Sequence, residues 1–149
     1  MGSQSDYSVM RDCEKILKIL KIKYQVSIVS AHRTPKRMFE FAESASKNGF
    51  AVIIAGAGGS AHLPGMVASL ATVPVIGVPI ESKKLKGLDS LLSIIQMPKG
   101  CPTATMAING AFNAGLHAAS IIGTFDLKVR SNLEKWKRLQ TKSVKKKIK

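Results

Sequence analysis

At 149 residues, 45% hydrophobic and 21% charged, the chain has material for one domain with one core and is not a disordered sequence. Its +14 charge raises nucleic-acid binding, but ten basic residues against Glu134 alone lie from Lys128 onward, so a solvated tail accounts for +9 of it. No apolar run reaches the ~20 residues that span a bilayer, the start lacks a signal-peptide pattern, and Cys13 and Cys101 lack disulfide-motif or zinc spacing, so a cytosolic protein with free thiols and no metal site is expected.

Ser8 to Leu20 predicts an amphipathic helix, because Val9, Cys13, Ile16, Leu17 and Leu20 recur at spacings of three and four. Tyr24 to Ser30 alternates and is β-branched, which predicts a strand. Ser30-Ala-His-Arg-Thr-Pro35 follows as a loop; Thr34 then suits an N-cap with Pro35 at the first helical position, and Asn48-Gly49 suits the C-cap. Phe50 to Ala55 is a continuous apolar run, as in a strand buried on both faces. Gly56-Ala-Gly-Gly-Ser-Ala61 reads as a glycine-rich turn before a helix from His62 to Leu70.

Val73 to Ile80 predicts the next strand, and Ser90 to Met97 a short helix. A last strand is expected over Thr105 to Ile108 and an Ala-rich helix over Phe112 to Gly123. Phe125 to Gln140 closes the pattern as a helix with Leu133, Trp136 and Leu139 on one stripe. Strands alternating with helices imply a parallel α/β sheet covered on both faces, with ligands at the carboxyl ends of the strands. Met1 to Asp6, Ser30 to Pro35 and Gly56 to His62 are thereby expected to converge on one rim.

The Gly56 to Ala61 run matches the G-x-G-x-x-A dinucleotide fingerprint, with Glu81 as a candidate ribose-binding acid, so a nucleotide-dependent oxidoreductase is one alternative. A basic nucleic-acid-binding module is another. No Walker-type Gly-Lys-Ser/Thr and no Gly-x-Ser-x-Gly elbow is present. What remains suits an anionic substrate and a moving proton. Ser3, Ser5 and Asp6 supply hydroxyls and a carboxylate, Arg33 a fork for phosphate or carboxylate, and His32 and His62 titrate near neutral pH.

Several ordered stretches resemble the class I 5-(carboxyamino)imidazole ribonucleotide mutase family. They are Met1-Gly-Ser-Gln-Ser-Asp6, Ser30-Ala-His-Arg-Thr-Pro35, Phe41-Ala-Glu-Ser-Ala45 and Ile53 to Gly65. Pro74 to Pro79, Leu88-Asp-Ser-Leu91 and Gln96-Met-Pro-Lys-Gly100 belong with them, and the resemblance runs from Met1 to about Gln140. It implies a three-layer flavodoxin-like parallel sheet with helices on both faces. It implies an isomerase of de novo purine (IMP) biosynthesis that moves a carboxylate from the exocyclic nitrogen to ring carbon 4 as trapped carbon dioxide. It also implies a homo-octamer, to which the small residues of the Phe112 to Gly123 helix are suited.

By matching motif, His32 is the expected proton-transfer residue. Ser3, Ser5 and Asp6 are expected on the ribose and phosphate side, completed by Ser30, Ala31 and Arg33. Ala57, Gly58, Ser60, His62 and Leu63 are expected on the base and carboxylate side; Ser60 stands where the family commonly has Ala. No cofactor is expected, and the partner is a small-molecule nucleotide, not nucleic acid or membrane. The catalytic domain is expected over 1–141, with 142–149 a Lys-rich disordered tail. A hydrophobic strand usually precedes the Met-Gly-Ser stretch in this family; that first strand is missing here, and the natural protein is expected to begin upstream of Met1.

Overall fold

The computed structural model describes residues 1–146. A parallel three-stranded sheet lies at the centre, in the order β1 (Ile53–Gly58), β2 (Val75–Ile80), β3 (Ala104–Thr105). Helices cover both faces, which gives the α/β, flavodoxin-like layering expected from the alternation. Ile53 pairs with Val75 and Gly58 with Ile80, so β1 and β2 end together at one rim.

One face carries α2 (Pro35–Ser44), α3 (Leu63–Ala68) and α4 (Leu88–Ile95). Met38, Ala42, Leu63, Val67 and Ile94 pack there on Ile53, Ala55 and Ala57, the odd residues of β1. The other face carries α1 (Tyr7–Ile19) and α5 (Ala111–Ile122), with α6 (Leu127–Ser143) outside them. Met10, Cys13 and Leu17 of α1 meet Ile76, Val78 and Ile80 of β2 and Ala111, Ala114 and Ala118 of α5.

α1 and α5 approach so closely that a Cβ at Gly115 would meet the Ile16 side chain at 2.4 Å. The small residues of α5 therefore serve packing within the chain: Ala111, Ala114, Gly115, Ala118 and Ala119 are all buried. α6 starts at Asp126, whose side chain accepts from the Lys128 and Val129 amides. Its stripe is only partly used. Leu133 is buried and Trp136 lies 6.0 Å from Phe112 between ring centroids, but Leu139 is exposed. α6 continues through Ser143, so Lys142 and Ser143 of the expected tail are helical, and the part of that tail from 147 to 149 lies outside the described residues.

The largest departure concerns Tyr24 to Ser30, which forms no strand. A strand needs a neighbour, and this segment has only Met1 and Gly2 beside it. Met1 donates its ammonium to Ser27 O (3.1 Å) and accepts from the Val29 amide (2.9 Å), while Gly2 N donates to Gly56 O (3.3 Å). Behind these two residues a slot of about 510 Å³ separates Tyr24–Ser27 from β1. Phe50, Ala51 and Val52 border the same slot, which is why β1 begins three residues later than its apolar run. The expected glycine turn is correspondingly shorter, because Gly56, Ala57 and Gly58 belong to β1.

Candidate functional site

The three loops expected at the rim do meet, around a cavity of about 830 Å³. The first is Met1 to Asp6. Asp6 is buried, and its carboxylate accepts from the Ser3 amide at 2.9 Å, which folds Gln4–Asp6 into a single 3-10 turn. The Ser3 and Ser5 hydroxyls bond each other at 2.5 Å, and both residues face the cavity.

The second loop is held by its own side chains. The Thr34 hydroxyl accepts from Ser30 N (2.9 Å) and donates to Ser30 O (3.2 Å), so Thr34 occupies the N-cap position without capping α2. Buried Ser30 accepts from the Arg33 amide at 3.2 Å. Arg33 then reaches across and donates Nη2 to Gly2 O at 3.2 Å, tying the first loop to the second. Its remaining guanidinium donors are available to an anion.

The third loop turns at Gly59, whose φ of +69° is left-handed. Its amide donates to Ser90 Oγ at 2.8 Å, and Ser90, with no exposed surface, donates to Ile80 O at 2.6 Å. One hydroxyl from α4 thus fixes the turn to the end of β2. The glycines before it serve packing: a Cβ on Gly56 would strike Met10 Sδ at 2.4 Å. That removes the physical basis for a dinucleotide fingerprint, which needs its glycines in the turn itself.

Across the second and third loops His32 Nε2 and His62 Nδ1 share a hydrogen bond at 2.9 Å, with the rings nearly perpendicular at 88°. One of the two nitrogens must carry the hydrogen and the other the lone pair, so the bond couples the two tautomers. Ser3, Ser5, Asp6, Ser30, Ala31, His32 and Arg33 line the cavity, as do Ala57, Gly58, Ser60 and Leu63. His62 does not; it stands behind His32.

A fourth wall was not expected. It consists of Glu81, Ser82, Lys83, Lys86 and Asn109. Asn109, at φ +58°, accepts from the Glu81 amide at 2.9 Å and donates to its carboxylate at 3.2 Å. Ser82 Oγ donates to Asp89 at 2.7 Å and receives the Leu85 and Gly87 amides. The signal was available in principle, since residues 81–87 follow the carboxyl end of a parallel strand. Arg33, Lys83 and Lys86 against Asp6 and Glu81 leave the cavity net positive.

Among the described residues no group of three His, Cys, Asp or Glu could hold a metal, and no helix is long and apolar enough to cross a membrane. Of the two thiols, Cys13 is buried, and burial first, then the Glu14 charge, pushes it up to about 12.

Comparison with known proteins gives consistent matches. Residues 1–143 match the family described as AIR carboxylase. The N5-carboxyaminoimidazole ribonucleotide mutase of Escherichia coli K12 is 53% identical over 97% of this chain and 86% of its own length. That of Thermotoga maritima is 62% identical over 83% of this chain and 72% of its own. Among solved structures, Treponema denticola PurE superimposes with a TM-score of 0.87 at 26% identity, covering 95% of this chain and 89% of that one.

Proposed function

The chain belongs to the AIR carboxylase family, and from that premise we infer that it is an N5-carboxyaminoimidazole ribonucleotide mutase, an isomerase of purine biosynthesis. The observation that carries this reading is the meeting of the three loops around one net-positive cavity with His32 on its wall, in a chain more than half identical to enzymes of that name.

The chemistry follows from proton and electron balance. The bond between the exocyclic nitrogen and the carboxylate carbon breaks, its electron pair stays on nitrogen, and the nitrogen takes up a proton. Ring carbon 4 then attacks the released carbon dioxide and gives up its own proton. One proton is delivered and one recovered, so a single acid/base group suffices and returns to its starting state. His32 is that group, and its bond to His62 Nδ1 orients the ring and sets which nitrogen faces the substrate.

Arg33 binds the phosphate together with the Ser3, Ser5 and Asp6 turn; Ser30 and Ala31 complete that side. Ala57, Gly58, Ser60 and Leu63 line the base and carboxylate side, and His62 acts through His32. The compartment is the cytoplasm. The assembly is a homo-octamer, a reading supported by exposed Leu85, Leu88, Leu92 and Ile95, three of them on one stripe of α4. Light scattering should return the mass of eight chains; a monomer mass would exclude it.

The deciding assay offers two substrates separately. Conversion of 5-(carboxyamino)imidazole ribonucleotide without added bicarbonate is the expected result. Conversion only of aminoimidazole ribonucleotide with carbon dioxide, or of neither, would overturn the mutase reading.

A further inference from the structure

The slot between Tyr24–Ser27 and β1 is a gap in the sheet with the dimensions of one strand. Met1 already shows what fits it. Its ammonium bonds Ser27 O and its carbonyl receives Val29 N, the two bonds of a parallel pairing with Ile28. Gly2 continues the same line by donating to Gly56 O on the opposite edge. Met1 and Gly2 are thus two residues of strand wedged into one end of the gap.

Both edges of the gap remain open beyond Met1. Ile53 donates to Pro74 O, so the odd residues of β1 face β2, and alternation turns Val52, Ile54 and Gly56 toward the slot. On the other edge, Gln25 and Ser27 share the side of Val29. Among the described residues, Gly2 on Gly56 O and Met1 on Ser27 and Val29 are the backbone bonds that cross into it.

The walls are apolar on both sides. Met10, Cys13, Leu17, Ala118 and Ile122 form one, and Phe41, Leu63 and Val67 the other. One polar atom interrupts them. Glu14 Oε1 is buried and has no partner, although Oε2 receives the Tyr24 hydroxyl at 2.9 Å.

We propose that this slot is a binding site for a separate polypeptide strand: an extended, uncharged, Val/Ile/Ala-type segment that adds in parallel to both edges, its carboxyl end toward Met1. From Ile28 back to Tyr24 there are four positions, or roughly 13 Å of strand at ~3.3 Å per residue, so about five residues fill it. Apolar side chains suit alternate positions equally, because both walls are apolar. A hydrogen-bond donor opposite Tyr24, at the amino end of the segment, meets Glu14 Oε1. Continuity with the Met1–Gly2 line fixes both direction and register. Recognition is by main-chain pairing, as in other cases of strand addition.

The test uses the full chain and a synthetic peptide, with two leading lysines for solubility followed by Thr and alternating Val and Ala. A second peptide carries Pro at the centre, which removes a donor and blocks the ladder. Hydrogen–deuterium exchange and Tm are measured with each. The expected result is a concentration-dependent rise in Tm and about tenfold slower exchange in both 23–29 and 50–56 with the first peptide alone. No rise in Tm, protection of only one edge, or equal effects of the Pro peptide would each overturn the proposal.

Discussion

The molecule has two hollows on either side of the Met1–Gly2 line, and they are built on opposite principles. The rim cavity is held by side-chain bonds between loops: Arg33 to Gly2, Ser90 to Gly59 and Ile80, Asn109 to Glu81. The slot has apolar walls and almost no polar bonds across it. A polar hollow whose donors are already oriented is suited to chemistry on a charged ligand. An apolar hollow with open backbone edges is suited to more polypeptide. Substitutions in the first should alter turnover, and substitutions in the second should alter stability.

The sharpest break of that contrast is His32→Asn. Turnover should fall by about a hundredfold or more while the nucleotide still binds and the fold is unchanged. Steady-state kinetics with calorimetric binding checks it, and near-normal turnover in a folded variant removes His32 from the proton transfer.

Ser90→Ala should cross the boundary between the two behaviours. It leaves the Gly59 amide and Ile80 carbonyl without their shared partner, at a cost of about 1–3 kcal/mol in urea unfolding, and it loosens the turn beside Ser60. Activity and stability should fall together; a loss of stability with unchanged kinetics would show that the turn needs no clamp.

Ala118→Leu should act on the slot alone. Ala118 lines the slot, so its added carbons have space, and stability should rise by about 1 kcal/mol with turnover unchanged. A drop in the urea midpoint would mean that the slot wall is already close-packed.

The rim was legible in the sequence because its loops are short, polar and carry their own ties. Ser30, Thr34 and Arg33 bond within five residues of one another, so local sequence contains nearly all that shapes that loop. α1 was legible by period, and its Cys13, Ile16 and Leu17 are buried as expected. Tyr24 to Ser30 was misread because alternation reports which faces a segment can bury and is silent on whether a neighbour stands beside it. The Glu81 to Gly87 wall was missed because Lys83, Lys84 and Lys86 read as solvated surface, whereas the Asn109 bond that folds this wall over the rim comes from 28 residues away.

The crossing at Gly115 has a mechanical consequence. Asn109 grips Glu81 at the rim, and α5 starts two residues later. From Gly115 to that end is about 9 Å of helix, short enough to behave as a stiff rod. A methyl group at Gly115 would need α1 and α5 to part by about an ångström, since close-packed interiors transmit displacement instead of absorbing it. The rod would carry that motion to the Glu81 wall. A screen for altered substrate handling should therefore recover changes on the helix crossing, on the far side of the sheet from His32, with no contact to any ligand.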